Sequence, residues 1–184
     1  MSSSKNYEEL IRNYRGGDLD LSGCTLKNVT IDHVDGSLNL SKSSIGTLNI
    51  GWVSHELNMS NAEIKNITNP IDAESVIMAG ATIKKLPAHV YTNHFDISKS
   101  NITKLNSDIR TNSLNIKNTK IESFPKDLHV KTLVVDAKVA KNIPLSVMKN
   151  CETIDFDGKI FSSIPSVSEF NFCSVSSEEA FCRS

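Results

Sequence analysis

The sequence predicts an α/β repeat solenoid, a single domain of about eight or nine short coils that stack into a parallel β-sheet, with an N-terminal capping helix. Three observations predict this fold. Pairs of apolar residues recur every nineteen residues from Leu19 onward, further apolar positions follow each pair at fixed offsets, and an amphipathic segment precedes the array. An apolar-x-apolar pair is typical of a strand with one buried face, and the later apolar positions return the chain around the same core.

The composition is that of a soluble, folded chain. It has 184 residues, of which 39% are hydrophobic and 22% are charged, and its formal net charge is −1. This balance argues against intrinsic disorder and gives no overall attraction to nucleic acid or to an anionic membrane. No apolar run is long enough to span a bilayer, and residues 1–6 lack the apolar core of a signal peptide. We therefore expect a cytoplasmic protein with no membrane partner.

The segment before the repeats is predicted to be a short capping helix within residues 1–17. Its apolar positions are Tyr7, Leu10, Ile11 and Tyr14. They lie on one stripe of a helix. Asn6 is placed to N-cap this helix and Glu9 to complete a capping box, while Gly16-Gly17 ends it. Solenoids need such lids because an uncovered end coil exposes a slice of core.

The nineteen-residue unit defines a predicted solenoid of residues 18–168, followed by a C-terminal capping coil and tail in residues 169–184. The strand pairs are Leu19/Leu21, Leu38/Leu40, Leu57/Met59, Val76/Met78, Phe95/Ile97, Leu114/Ile116 and Leu133/Val135, then Ile154/Phe156 after two extra residues. The position five residues after each pair holds Leu26, Ile45, Ile64, Ile83, Ile102, Ile121, Ala140 and Phe161. The position eight residues after each pair holds Val29, Leu48, Ile67, Leu86, Leu105, Phe124, Ile143 and Ile164. We expect all of these positions to face the core.

Four prolines indicate where the strands do not run. Pro87, Pro125, Pro144 and Pro165 directly follow the offset-eight residue. That position suits a non-strand segment because proline cannot donate to a sheet ladder.

The string apolar-x-apolar, then Ile-x-x-Leu-Pro, resembles the leucine-rich repeat. The endings Leu86-Pro87 and Phe124-Pro125 and the short period are most similar to the bacterial short-repeat subtype. The resemblance covers about residues 18–167. It implies a curved horseshoe with the parallel sheet on its concave side and extended or 3₁₀ segments behind.

The chain departs from that family at the asparagine-ladder position. The residues there are Cys24, Ser43, Ala62, Ala81, Ser100, Thr119, Lys138 and Lys159. Cysteine, serine and threonine can bond neighbouring backbone in that role, but alanine cannot. A pentapeptide-repeat solenoid is the rival fold, because Leu21, Leu26 and Ile31 are five residues apart. Offsets of five and then three within a nineteen-residue period favour the leucine-rich type.

No catalytic signature accompanies the repeats. The sequence has no phosphate-binding loop, no dinucleotide glycine fingerprint and no nucleophile-elbow serine. The histidines do not share one column of the repeat, and we interpret them as surface residues. Cys24, Cys151, Cys173 and Cys182 lack metal-like spacing and are simplest as free thiols, although Cys173 and Cys182 could pair in an oxidising compartment. We therefore expect no enzyme activity, no cofactor and no metal site.

The repeat also predicts which strand residues point outward on the concave sheet. The residues we expect to bind a partner there are Asp20, Asn39, Glu56, Asn58, Ile77, His94, Asp96, Asn115, Val134 and Asp155. This face is acidic at its two ends, and its middle is small and partly apolar. Such a surface would dock a protein with a basic surface, with the charges steering the encounter.

Lysines cluster on the edge that leaves each strand. The residues of this predicted polyanion edge are Lys84, Lys85, Lys99, Lys104, Lys120 and Lys138. Solubility and resistance to aggregation are one explanation for them. Binding of nucleic acid or another polyanion is the other, although scarce arginine and the absence of interleaved aromatics are unfavourable to base recognition.

We therefore expect a non-enzymatic protein–protein interaction module, an inhibitor or adaptor that binds a protein partner on its acidic concave sheet. Nucleic-acid or polyanion binding along the lysine edge is the alternative function. The composition, rich in Lys, Asn, Ile and Ser, would suit a phage or bacterial virulence protein. A homodimer through the last coil, around Phe170, Phe172 and Phe181, is a further open expectation.

Overall fold

The computed structural model describes residues 6–105 and 108–162, and in them the chain winds into a parallel β-solenoid of about seven turns. The prediction of a repeat solenoid with a parallel sheet is therefore confirmed. The strands are β1 (Leu19–Asp20), β2 (Thr25–Val34), β3 (Leu38–Asn39), β4 (Ser44–Asn58), β5 (Glu63–Ile67), β6 (Ile71–Ile77), β7 (Thr82–Ile83), β8 (His89–Tyr91), β9 (His94–Asp96), β10 (Asp108–Asn115), β11 (Val130–Val135), β12 (Cys151–Phe156) and β13 (Lys159–Ser162). The helices are α1 (Tyr7–Arg12), α2 (Ala137–Ala140) and α3 (Leu145–Lys149).

The ladder that the sequence predicts runs through β1, β3, β4, β6, β9, β10, β11 and β12. Its register joins Leu19 to Leu38 and continues, one coil at a time, to Leu133 and Ile154. The pair Leu133–Ile154 shows that the two extra residues of that coil are absorbed outside the strands. The nineteen-residue alignment of the strand pairs is thus correct throughout this ladder.

Each of the first six coils leaves this ladder through a tight corner. The residues with positive φ at the corners are Gly23 (69°), Lys42 (57°), Asn61 (55°), Gly80 (69°), Lys99 (58°) and Asn118 (55°). At one such corner the N–H of Ser43 donates to the carbonyl of Leu40 (3.3 Å), which closes a β-turn whose third residue, Lys42, is left-handed. The corner therefore suits glycine or asparagine, and lysine is accommodated there with strain.

The residue after each left-handed position is small and lies inside the corner. Cys24, Ser43, Ala62, Ala81, Ser100 and Thr119 are all buried. The hydroxyl of Ser43 donates to the carbonyl of Leu40 (2.6 Å), and that of Thr119 donates to the carbonyl of Ile116 (2.7 Å). The expected backbone bonding at this position is confirmed for these two residues, and it stays within one coil.

Two further parallel ladders complete the coils. The back ladder consists of the first half of β2, the first half of β4, β5 and β7. The flank ladder consists of the second half of β2, the middle of β4, the first half of β6, β8 and the first half of β10, and it continues at the starts of β11 and β12. The leucine-rich resemblance implies extended or 3₁₀ segments behind the sheet, whereas the first four coils carry paired strands there.

The back ladder stops in the first coil in which proline follows the offset-eight residue. After β7 the chain passes Leu86 and Pro87 without strand structure, and later coils keep only the isolated bridge between Lys104 and Ser123 on this side. Pro125 also lies outside any strand, and Pro144 is the N-cap of α3. The missing N–H of proline removes a ladder donor, so the predicted non-strand segments are found in the coils that contain these prolines.

One apolar core runs along the axis of the solenoid. It contains the strand pairs and nearly all of the offset positions that the sequence assigns to it. Leu26 and Phe124 are half-buried and pack against the core from its edge. The stacking of like positions from coil to coil buries an apolar column that no single coil could cover.

The helices are short. Asn6 N-caps α1 by accepting the N–H of Glu9 (3.2 Å), and the side-chain amide of Asn6 donates to the Glu9 carboxylate (3.3 Å). Tyr7, Ile11 and Tyr14 pack against the core, while Leu10 is 39% exposed. None of the helices in residues 6–105 and 108–162 is long and apolar enough to cross a membrane.

The last described turn differs from the prediction. Phe161 was expected to face the core of a further coil, but β13 turns back and pairs antiparallel with β12, so that Phe161 lies opposite Ile154. Asp157 and Gly158, with φ of 50° and 86°, form the connecting turn. Phe161 is half-buried against the core. The predictions for Ile164, Pro165, Cys173, Cys182 and the dimer residues around Phe170 lie outside the described residues.

The strained corners give a stability prediction. We expect Lys99→Gly to raise the free energy of unfolding by about 0.5–1 kcal/mol, because relief of the left-handed strain outweighs the added entropy of the unfolded chain. Lys104→Gly is the matched control, because Lys104 has no positive φ. Its free energy of unfolding should fall by about 0.5–1 kcal/mol. Urea unfolding measures both. Equal losses in the two variants would contradict the prediction.

Candidate functional site

The front face, defined as the outward side of the ladder from β1 to β12, brings the predicted partner-binding residues together. Its central column consists of Asp20, Asn39, Asn58, Ile77, Asp96, Asn115, Val134 and Asp155. Glu56 and His94 share the next column, where each is a register partner of Ser75. All ten predicted residues therefore lie on one face, in two adjacent lines.

Most polar residues of the central column have a role in the fold. Asp20, Asn39, Asn58, Asp96 and Asn115 each accept, through Oδ1, the backbone N–H two residues later, at 2.8–3.2 Å. This Asx geometry supports the turn at which the chain leaves the strand. It also holds each side chain in one position, so the central column is an ordered array.

Other acids of this face also bond to the backbone or to a lysine. Asp18 accepts the N–H of Ser37 (2.7 Å), and Asp155 accepts the N–H of Gly158 (2.7 Å). Asp136 caps α2 by accepting the N–H groups of Lys138 and Val139 (2.9 Å each) and also accepts that of Asn118. Asp157 pairs with Lys117 (3.2 Å). The acidity of the face is therefore explained in part by the demands of the corners.

Ile77 and Val134 stand apart in the central column. They have no side-chain acceptor, so they cannot make the turn bond of their neighbours. Both are half-buried and point outward between polar rungs. Because the turn does not account for these two residue types, they are the best candidates for contact with a partner on the front face.

The lysines of the predicted polyanion edge are all exposed but occupy different settings. Lys99 is the left-handed corner residue, Lys104 bridges to Ser123 behind the sheet, and Lys138 lies in α2. Lys84 and Lys85 follow the end of β7. The structure therefore does not bring these lysines into a single line.

The flank face, the outward side of the flank ladder, carries aromatic residues that the sequence analysis did not single out. One column of this face contains His33, Trp52, Asp72, Tyr91 and Arg110. The rings of His33 and Trp52 stack with centroids 5.2 Å apart and an angle of 16° between their planes. The guanidinium of Arg110 lies 5.2 Å from the centroid of the Tyr91 ring. Trp52 is 45% exposed.

Asp108 holds the second of these pairs in place. Its carboxylate bonds to Nδ1 of His89 (2.5 Å), the hydroxyl of Tyr91 (3.0 Å) and Nε of Arg110 (3.1 Å). These bonds, the one from His89 foremost, hold the pKa of Asp108 below its ordinary value. The same carboxylate, chiefly through its hydrogen bond, raises the pKa of Tyr91. The cluster is thus ordered and carries an ionised carboxylate at neutral pH.

An open depression of about 650 Å³ adjoins this cluster. Its lining is mostly polar and includes Asp108, Arg110, Asp127, His129 and Glu152. Within residues 6–105 and 108–162 no group of three or more His, Cys, Asp or Glu side chains is placed to hold a metal ion.

The described cysteines are poor nucleophiles. Cys24 and Cys151 are buried free thiols. Burial raises the pKa of Cys24, and it raises that of Cys151 to about 11. Cys151 also donates to the carbonyl of Val147 (3.3 Å). Both side chains therefore remain protonated at neutral pH.

Pairwise spacing in the sequence contained the signal for the flank column. His33 and Trp52 are nineteen residues apart, as are Asp72 and Tyr91, and then Tyr91 and Arg110. The nineteen-residue alignment groups these residues once it is extended from the front strands to the flank segments. The histidines were treated as scattered, whereas His33 and His89 both make ring contacts on the flank face.

No protein-family model matches the chain, and neither a curated protein nor a solved structure matches it significantly. The geometry and chemistry of the two faces therefore carry the functional argument.

The turn bonds give a prediction that separates shape from charge. Asp96→Asn should lower the free energy of unfolding less than Asp96→Ala does, because asparagine keeps the turn bond, as at positions 39, 58 and 115, and gives up only the bond that Oδ2 accepts from Asn115 (3.2 Å). Asp96→Ala should lose about 1 kcal/mol, the typical contribution of such a bond. Urea unfolding of the two variants checks this. If both lose the same amount, the negative charge rather than the turn bond is what matters at Asp96.

Asp108 gives a pH prediction. Its pKa is lower in the folded chain than the ordinary value of 3.8, so ionised Asp108 stabilises the fold above that pH. The contribution is lost as the pH falls below 3.8 towards the folded pKa. Urea midpoints measured from pH 6 to pH 3 should therefore fall more steeply for the wild type than for Asp108→Asn. Asp127→Asn, which removes one charge beside the same depression, should follow the wild type. Parallel profiles for the wild type and Asp108→Asn would refute the assignment.

Proposed function

We propose that the protein is a non-enzymatic protein–protein interaction module that binds a partner on its front face. The observation that carries this proposal is the ordered outward array, in which Ile77 and Val134 interrupt a column of polar residues fixed by backbone bonds. Side chains already held in one position lose little entropy when a partner binds. A preordered surface that extends over eight strands therefore suits a protein partner better than a small molecule.

The chemistry of the front face favours a partner with a basic surface. Carboxylates lie at both ends of the face, and among them Asp18, Asp20, Asp155 and Asp157 bond to the backbone or to Lys117. Opposite charges on a partner would speed the encounter and fix its register. An inhibitor or adaptor that acts by covering a basic surface of its partner in the cytoplasm is consistent with this arrangement.

We also assign the repeats to the leucine-rich type, short-repeat subtype, with α1 as the lid of the first coil. The Leu-Pro endings and the loss of strand structure at Pro87 and Pro125 support the first assignment. The second is supported by two anchors: the hydroxyl of Tyr7 donates to the carbonyl of Ser22 (2.9 Å), and that of Tyr14 accepts the N–H of Asp35 (2.9 Å). One bond comes from α1 and the other from the segment that follows it, and both reach the first coil, which supports this assignment.

The front-face assignment predicts the effect of two substitutions. Ile77→Lys combined with Val134→Lys places two charged, bulky side chains in the central column without breaking a turn bond. Partner binding should weaken at least about thirtyfold, the loss expected when a hot spot is removed. The far-UV circular dichroism spectrum should match that of the wild type. The free energy of unfolding, measured in urea, should stay within about 0.5 kcal/mol of the wild-type value, as for other surface changes.

The measurement is cross-linking capture from the native cell, followed by calorimetry with the purified partner. The matched control is Thr82→Lys combined with Thr103→Lys, which adds the same two charges at exposed positions behind the sheet. Equal binding by the front and control variants would place the partner elsewhere. Capture that disappears after nuclease treatment, or on Lys84→Gln with Lys85→Gln, would favour the polyanion alternative instead.

A further inference from the structure

We propose that the flank face carries a slot for a cationic side chain, with Asp72 as its floor and the rings of Trp52 and Tyr91 as its walls. The proposal rests on the proposed function, because we assign the cationic side chain to an extended basic segment of the protein partner. It adds a second contact surface, beside the front face, and names the residue type that the partner supplies.

The register of the flank ladder defines the slot. Val53 pairs with Ala73, which places Asp72 on the coil after Trp52, and Asp72 pairs directly with Tyr91. Neighbouring strands lie about 4.8 Å apart, so Trp52 and Tyr91 are separated by about 10 Å along the solenoid. That separation leaves room for one planar guanidinium or one ammonium group between two rings. The short side chain of Asp72 does not fill it.

The outer side of each wall is already occupied. His33, one coil before Trp52, stacks on the indole at 5.2 Å, and Arg110, one coil after Tyr91, lies over the phenol ring at 5.2 Å. The sides of the two rings that face the Asp72 coil are therefore the ones left for a ligand. Asp108 fixes the Tyr91 wall through the phenol hydroxyl (3.0 Å). The ring of His89, two residues earlier on the same strand, stacks with Tyr91 at a centroid distance of 6.0 Å and an angle of 26° between the planes.

The slot is open to a partner. Trp52 is 45% exposed, and Asp72 is exposed. Asp72 is also near enough to Tyr91 to contribute to the raised pKa of the phenol. A carboxylate at the base of two aromatic walls is thus accessible from solvent.

The chemistry of the slot favours a cation. Aromatic faces attract Arg and Lys side chains, and a carboxylate adds a charge-assisted hydrogen bond. The exposed acids Asp32 and Asp35 lie on the coil before Trp52, and the exposed acid Glu74 lies two residues after Asp72 on β6. They would repel a nucleic acid, and a sugar ring would stack on the walls without using the charge of Asp72. A basic peptide can make cation–π contacts with both rings, form an ion pair with Asp72 and be attracted by the exposed acids nearby.

Trp52 provides a direct test because it is the single tryptophan of the chain. The probe is a nine-residue peptide of glycine and serine with one central arginine and two flanking lysines. Its control carries citrulline, the uncharged analogue of arginine, at the centre. Titration into the full chain should give a saturable change in Trp52 emission with the arginine peptide. The citrulline peptide should bind about tenfold more weakly, the size of one cation–π contact with its ion pair.

Variants assign the binding to the slot. Asp72→Asn should weaken the arginine peptide about tenfold and Tyr91→Leu by a similar factor, while both retain the Trp52 reporter. Asp127→Asn, which removes one charge from the same face outside the slot, should stay within about twofold, as should the front variant with Ile77→Lys and Val134→Lys. Urea unfolding verifies that each variant is folded. If Tyr91→Leu does not fold, Asp72→Asn still tests the slot.

Several results would overturn the slot. The slot is rejected if the arginine peptide causes no saturable change in Trp52 emission. It is also rejected if the arginine and citrulline peptides bind with equal affinity, or if the Asp72→Asn variant binds the arginine peptide like the wild type. Saturation by a linear glucose hexamer but not by the peptide would assign the walls to a glycan. The two proposals fail separately. If partner capture is lost with the front variant but unchanged with Asp72→Asn and Tyr91→Leu, the front face is kept as the binding surface and the slot is rejected. If capture is lost with Asp72→Asn and Tyr91→Leu but unchanged with the front variant, the slot is kept and the front face is rejected.

Discussion

Hydrogen bonding between successive coils, in a register of nineteen residues along the front ladder from β1 to β11, is the constraint on which the rest of the structure depends. The N–H of Leu40 donates to the carbonyl of Asn58 (2.7 Å), and that of Met59 donates to Ile77 (2.7 Å), so each buried residue is tied to the outward column of the next coil. One set of bonds therefore positions both the core and the front face. A substitution that shifted the register would move every column of the solenoid together.

The local departures follow from the same constraint. Where proline follows the offset-eight residue, as at Pro87, a ladder donor is missing and the back ladder ends. Where Ala137 stands in place of a left-handed corner residue, the chain forms α2 instead, and Asp136 caps it. Close approach matters as well: a Cβ on Gly51 would lie 1.9 Å from the carbonyl oxygen of Asp32 on the preceding coil. Glycine is therefore required there by packing between coils.

The front face and the flank face of the solenoid differ in the residues that they offer to a partner. On the front face most polar side chains bond to the backbone of the corners, so its distinctive residues are the apolar Ile77 and Val134. The flank face has the residue types that dominate binding surfaces, with Trp52, Tyr91 and Arg110 in one column. Both faces carry acids, and for this reason both proposals name a basic partner. The lysines lie mainly at the corners and behind the sheet, away from either array.

The sequence by itself determined the solenoid, the front register and the small buried residue at each corner, because a strict spacing of apolar residues admits one way of stacking them. It also marked the prolines that exclude strand structure. Only the tertiary structure decided the rest. The back segments became paired strands because neighbouring coils offered acceptors, β13 reversed at Asp157-Gly158 where two left-handed residues turn the chain, and Trp52, Asp72 and Tyr91 became neighbours across separate coils. Such contacts depend on which flank residues face outward, and the apolar pattern specifies only which residues face the core.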